Sequence, residues 1–266
     1  MTARISLRVT ALAYILALVA SPVALIVWNT FSGGVFPVWN ALSRPDAISA
    51  FVLTIKIVAI AVPLNTLFGI ICALVLVRGR FPGVGLLSAI VNVPVGISPV
   101  VIGLALFIVY GRGGWLGGWL VTHNLHVIFA VPGMMLAMIF ISLPFVVREV
   151  VPVLREIGTE QEQAAFTLGA TSMQTFWRVT LPAIRIGVAY GVVLTTARAL
   201  GEFGAVSIVS GRLTGQTETL TLYVQDRFND FDLVGAYTAS VALALPALGV
   251  LGAMSLFSHG KESNVH

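Results

Sequence analysis

Residues 158–182 read GTEQEQAAFTLGATSMQTFWRVTLP. They are the heart of one long polar insertion, 148–182, set between apolar runs. The flanking chain is built to sit in lipid, whereas this segment is built to be touched from water. Thr159 followed by Glu162 spells a T-x-x-E capping box, which predicts a short helix starting near Glu160. Gly169 suits a helix C-cap, because glycine enters the left-handed region at little cost. Thr171 and Gln174 repeat the box, so a second short helix is expected before Leu181-Pro182 returns the chain to the membrane. On the first helix Glu162, Ala165, Phe166 and Gly169 share one face, and its small residues allow another protein close to the backbone.

Working outward, composition fixes the class. The 266 residues are 58% hydrophobic and 10% charged, with mean hydropathy +0.98, far from the balance of a soluble domain. A pI near 9.6 could point to nucleic acid, but the basic residues are scattered between apolar spans in a topogenic pattern. Cys72 is the only cysteine and lies in an apolar run, which excludes a disulfide framework and a thiolate metal site.

Six spans are expected in one all-α membrane domain covering 1–266: 9–28, 47–77, 85–110, 127–147, 186–209 and 233–257. The first is read as uncleaved, since its apolar run is long for a signal peptide and no A-x-A site follows. Pro63 should kink the second. The third is interrupted by Pro94, Gly96, Ser98 and Pro99, and reads as a half-helix, a break and a spanning helix. Irregular backbone at that depth survives only against protein or a water-filled cavity, so Ser98 becomes a candidate for the translocation path. Residues 210–231 are polar and expected outside.

With the N-terminus inside, nine basic residues fall on the cytoplasmic side (Arg4, Arg8, Arg78, Arg80, Arg148, Arg155, Arg178, Arg185, Lys261) and four outside (Arg44, Arg112, Arg212, Arg227). That bias puts both termini, and the 148–182 loop, in the cytoplasm.

Two cations remain within spans. Lys56 either snorkels to the interface or attracts an anion. Arg198 and Glu202, four apart, can pair on one helical face that must look into the bundle or a cavity. The pair is either a tie between helices or, with the small-residue turn from Gly201 to Gly204, part of the lining or gate of an anion path. No catalytic cluster is visible: His123 and His126 lie in an outer loop, and His259 and His266 in the tail.

Ala164, Ala165, Gly169, Val179, Leu181 and Pro182 stand at the spacing of the EAA loop, and the segment resembles that of bacterial ABC importer permeases. One departure is Gln163, where the signature glutamate usually stands, with Glu162 just before it. The resemblance implies a type I importer permease (MetI-like) architecture in the bacterial inner membrane, with a loop that docks on a partner ATPase. Energy would enter through Glu162, Ala164, Ala165 and Gly169, and Leu181-Pro182 would return the chain to the bundle.

A narrower likeness lies in YGVVL (190–194), ARALGEFGAV (197–206), VSG (209–211), Thr219-Leu220 and LPFVVREV (143–150). These stretches resemble the CysW-type permeases of sulfate/thiosulfate ABC importers, and the likeness runs from the first span to the sixth. It implies a homologous permease as heterodimer partner, two copies of an ABC ATPase and an extracytoplasmic sulfate-binding protein. No cofactor is expected in this chain. A Walker A loop needs G-x-x-x-x-G-K-[ST], and the only lysines, Lys56 and Lys261, have no such context, so ATP must be bound by the partner.

A molybdate or tungstate importer shares the architecture, and sulfate is preferred because of the G-E-F-G region. A secondary anion carrier would be expected to carry a relay of intramembrane carboxylates, whereas Glu202 is the one acidic residue placed firmly in a span.

Overall fold

The computed structural model describes residues 2–262, with the side chains of 7–18 and 20–252. The side chains of Arg4, His259 and Lys261, and all of His266, lie outside the described residues. Among the described residues every regular element is helical. In order these are α1 (Thr2–Ile15), a π segment (Leu16–Ala20), α2 (Ser21–Phe31), α3 (Val35–Leu42), α4 (Pro45–Arg78), α5 (Val84–Gly96), α6 (Pro99–Tyr110) and α7 (Gly117–Thr122). Then follow α8 (Val131–Glu156), α9 (Glu160–Thr167), α10 (Ser172–Thr175), a second π segment (Phe176–Thr180), α11 (Leu181–Leu200), α12 (Val206–Val209), α13 (Leu220–Asn229) and α14 (Leu233–Glu262).

Among the described residues, five stretches are long and apolar enough to cross a membrane: Leu7–Phe31, Pro45–Arg78, Val131–Glu156, Ser172–Leu200 and Leu233–Gly252. A sixth is reached if the bent pair α5 and α6 counts as one. These two meet at 113° across residues 97 and 98. The break expected at Gly96–Pro99 is therefore present, but the spanning helix after it is not. With 12 residues, α6 extends about 18 Å, short of the roughly 30 Å of hydrocarbon. Pro63, by contrast, lies inside an α4 that runs unbroken for 34 residues.

Other boundaries also shift. The fourth helix starts at Val131 rather than 127, where Pro132 falls in its first turn, and continues eight residues past Arg148. The fifth does not run from 186 to 209. It begins at Ser172, passes through the π segment and Leu181-Pro182, and stops at Leu200. Pro182 lacks the N–H that would bond back one turn, and the wider π turn just before it absorbs the missing bond. The same device recurs at Ser21-Pro22, directly after the first π segment. Within the polar 210–231 stretch, α13 is a true helix whose Leu220, Leu222 and Tyr223 are buried.

α8 is the axis of the bundle, packed by α4 and α11 and touched by α5, α6 and α12. Between apolar helices in lipid there is no hydrophobic gain from association, so close approach and interhelical hydrogen bonds must hold them. Glycines supply the approach. A Cβ on Gly69 of α4 would lie 2.6 Å from Val146 Cβ, and one on Gly191 of α11 would lie 2.8 Å from Val146 Cα, so α8 is gripped from both sides. The buried Asn65 Nδ2 donates to Ser142 Oγ at 2.8 Å, joining α4 to α8. Thr54 Oγ1 accepts from the Leu220 N–H at 2.8 Å, joining α4 to α13. Around these ties Ile57, Met134, Met138, Leu200, Val206 and Leu222 form the main apolar core.

Candidate functional site

At the polar end of the bundle the chain leaves α8 at Glu156, turns at Gly158 with φ +64°, and forms α9. The predicted start at Glu160 holds, but the box does not. The side chain of Thr159 caps no backbone N–H and instead accepts from Gln163 Nε2 at 3.0 Å. Glu162 has been drawn elsewhere. Its Oε2 receives Arg78 Nε at 3.0 Å, and its Oε1 receives Thr180 Oγ1 at 2.9 Å and Arg78 Nη2 at 3.4 Å. The same guanidinium donates from Nη1 to the Leu154 carbonyl at 3.2 Å and from Nη2 to the Gly158 carbonyl. Glu162 thus faces inward, away from the surface that its helical position suggested.

The second box does form. Thr171 accepts from the Gln174 N–H at 3.4 Å while Gln174 Oε1 accepts from the Thr171 N–H at 2.9 Å. Gly169 adopts φ +82°, the left-handed cap, with open space where a Cβ would stand. Ala164 is exposed and Ala165 half-buried; Leu181 packs into a small core with Val150 and Ile184, and Pro182 is exposed. Phe166, Leu168, Met173 and Trp177 are all exposed on this loop, Leu168 at 88%. Four large apolar side chains are thus left open on a polar segment.

The second constellation lies where α11 ends. Arg198 sits in its last turn, where the helix dipole favours a cation, and Nη1 lies 2.7 Å from Glu202 Oε2 without a linear hydrogen bond. Glu202 is only 1% exposed. Its Oε1 accepts the Ala205 N–H at 2.8 Å and its carbonyl accepts Thr221 Oγ1 at 2.9 Å, so the residue folds the turn into α12 and pins α13 to it. Arg198 is about a third exposed and makes no other hydrogen bond or ion pair among the described residues.

The break and this turn meet. A Cβ on Gly204 would lie 3.0 Å from Pro99 Cβ, and one on Gly103 would lie 2.9 Å from the Ala205 carbonyl. Ser98, exposed at the N-cap of α6 with no side-chain cap bond, is therefore beside the G-E-F-G turn, and Gly201 is exposed at its start. Lys56 is not part of this group: it is exposed on α4 and makes no hydrogen bond or ion pair among the described residues. Just before α13, Glu218 is 4% exposed, and burial pushes its carboxyl above the usual range.

The profile of the binding-protein-dependent transport system inner membrane component matches residues 65–259. The chain belongs to that family. The match takes in both constellations and leaves out Lys56 among the candidates and α1 to α3 among the helices. Within the family, the chain is 47% identical over 241 residues to a sulfate transport system permease protein CysW of Synechocystis, covering 91% of this chain and 87% of that one. It is 46% identical over 242 residues to the CysW of Escherichia coli K12, covering 91% and 83%. It is also 36% identical over 240 residues to the CysT of the same organism, covering 90% and 87%. A crystal structure of a bacterial ABC transporter importing alginate contains a chain that superposes with TM-score 0.77 at 18% identity, covering 96% of this chain and 94% of that one. That likeness confirms the permease fold. This family member is an inner-membrane transport component, a permease and not an enzyme.

Sequence reasoning read Arg78 only as a topogenic charge and did not single out Thr180 or Thr221. The signal for Arg78 was its place at the very end of an apolar helix; its partners lie 76–84 residues away and leave no local pattern.

Proposed function

We propose that this chain is the membrane-spanning subunit of an ATP-driven importer of sulfate and thiosulfate. The observation that carries the reading is identity of 46–47% over nine-tenths of the chain to permeases named for sulfate transport. Its partners in this reading are a homologous permease, two copies of an ABC ATPase and an extracytoplasmic sulfate-binding protein. Both termini and the 148–182 loop face the cytoplasm, in keeping with nine basic residues against four. The exposed Phe166, Leu168, Met173 and Trp177 meet the ATPase, with Ala164 and Ala165 giving close approach. Six spans count α5 and α6 as one broken crossing. The break at Ser98 and the turn from Gly201 to Gly204 line the path, and Arg198 presents a cation beside that turn.

Uptake of radiolabelled sulfate by cells lacking the gene, with and without the gene restored, tests the substrate. Loss, rescue and stronger competition by thiosulfate than by molybdate are expected. Intact sulfate uptake with a fall in molybdate-dependent activity would reassign the substrate to the larger oxyanions and leave the family placement untouched.

A further inference from the structure

We infer that Arg78 is a positioning residue which locks the ATPase-docking helix α9 to the ends of three membrane helices at once. The inference rests on the reading of the 148–182 loop as the docking element. One guanidinium at the last residue of α4 holds the Glu162 carboxylate, the Leu154 carbonyl near the end of α8 and the Gly158 carbonyl in the turn after it. Glu162 in turn holds Thr180, in the π segment that opens into α11.

Each bond answers a separate physical need. The last carbonyls of α8 have no partner within their own helix, and the guanidinium supplies one while its charge suits the negative helix end. The Glu162 carboxylate is in the first turn of α9, where its charge is favoured, and its two oxygens match the planar Arg fork. Arg78 and Glu162 are only 22% and 16% exposed, so solvent screens the pair weakly. Apart from this clamp α9 is lightly held: none of its residues is buried, and its main helix contacts are to α10 and the π segment. A force on Phe166 or Leu168 therefore reaches α4 and α8 through Arg78, or is lost in movement of the loop. Lysine cannot replace it, because an ammonium is a compact charge without the fork needed for three acceptors.

The test uses the chain co-expressed and purified with its permease partner, ATPase and binding protein, and reconstituted in proteoliposomes. Sulfate transported and ATP hydrolysed are measured on the same preparation. Arg78→Ala, Glu162→Ala and the double variant should keep the ATPase bound and hydrolysing, yet move on the order of fivefold less sulfate per ATP. The double variant should be no worse than either single one, since all three break one linkage. Arg78→Lys should also lose coupling, which separates fork geometry from charge and serves if the alanine variants assemble poorly. Unchanged transport per ATP in Arg78→Lys and Glu162→Ala, or losses that multiply in the double variant, would overturn the inference. Failure of the unaltered chain to retain the ATPase would instead strike the docking reading beneath it.

Discussion

Glu202 carries a charge at 1% exposure beside a cation that is a third exposed, and the two ends of that pair have unequal consequences. Removing Arg198 leaves a buried carboxylate held by the Ala205 N–H and no cation; neutralising Glu202 leaves an arginine with access to solvent. Losing a partner of a buried charge costs about 3–5 kcal/mol, and the part exposure of Arg198 lowers that toward about 1–3 kcal/mol here. Arg198→Ala is therefore expected to lower the thermal stability of the detergent-solubilised complex more than Glu202→Gln, and the double variant to recover part of the loss. Assembly-normalised uptake should fall by only about twofold in Glu202→Gln, whose amide oxygen still accepts from Ala205. Complete loss of uptake in that variant, with normal assembly, would move Glu202 from shaping the turn to operating the gate.

At the scale of elements, the glycine-lined seams of α8 make the sharpest prediction. Gly69→Ala puts a methyl 2.6 Å from Val146 Cβ and Cγ1, and overpacking of this kind costs about 1–3 kcal/mol. Val146→Gly removes both opposing atoms and should restore much of the stability, as read by thermal aggregation of the purified complex. No such relief exists for Gly191→Ala, whose methyl meets Val146 Cα. Long apolar runs made α4 legible from hydropathy to within two residues at each end and α14 to within five, whereas α8 runs nine residues past its expected end. The ends were less so, because Pro182 reads locally as a helix start and nothing nearby announces the π turn that lets the helix pass through it. The two capping boxes make the same point. Thr171 and Gln174 have no stronger partner and close their box; Glu162 is within reach of Arg78 and leaves its own, so an 84-residue contact overrides a three-residue pattern. Likewise the break at residues 96–99 was visible as Pro and Gly, but its 113° angle and its seat against Gly204 come from α6 docking on α12.

For the whole molecule, the proposed reading puts energy input at the exposed apolar loop and the substrate path at the broken crossing, elsewhere in the bundle. Gly169 isolates the first of these, since it has open space around it and affects the fold only through its positive φ. Gly169→Trp should leave the helices inserted while placing a bulky ring on the docking surface at a backbone angle that tryptophan resists. Sulfate uptake should fall at least about tenfold and co-purification of the ATPase should weaken, with the amount of chain in the membrane unchanged. Full uptake and full ATPase retention would remove this loop from energy coupling. The sequence led to the loop through its spacing, yet gave no sign of which residues point outward: Glu162 turned in, while Leu168 and Trp177 turned out.

The continuity of the helix from Ser172 to Leu200 has a mechanical side. Twenty-nine residues at 1.5 Å each make a rod of about 43 Å, with Trp177 near one end and Arg198 near the other. Tilting such a rod by about 10° about a point one helical turn from its Ser172 end sweeps the far tip through roughly 7 Å for a displacement of about 1 Å at the near end. In the proposed reading such a helix is a lever arm, with its short side toward the ATPase and its long side at the G-E-F-G turn.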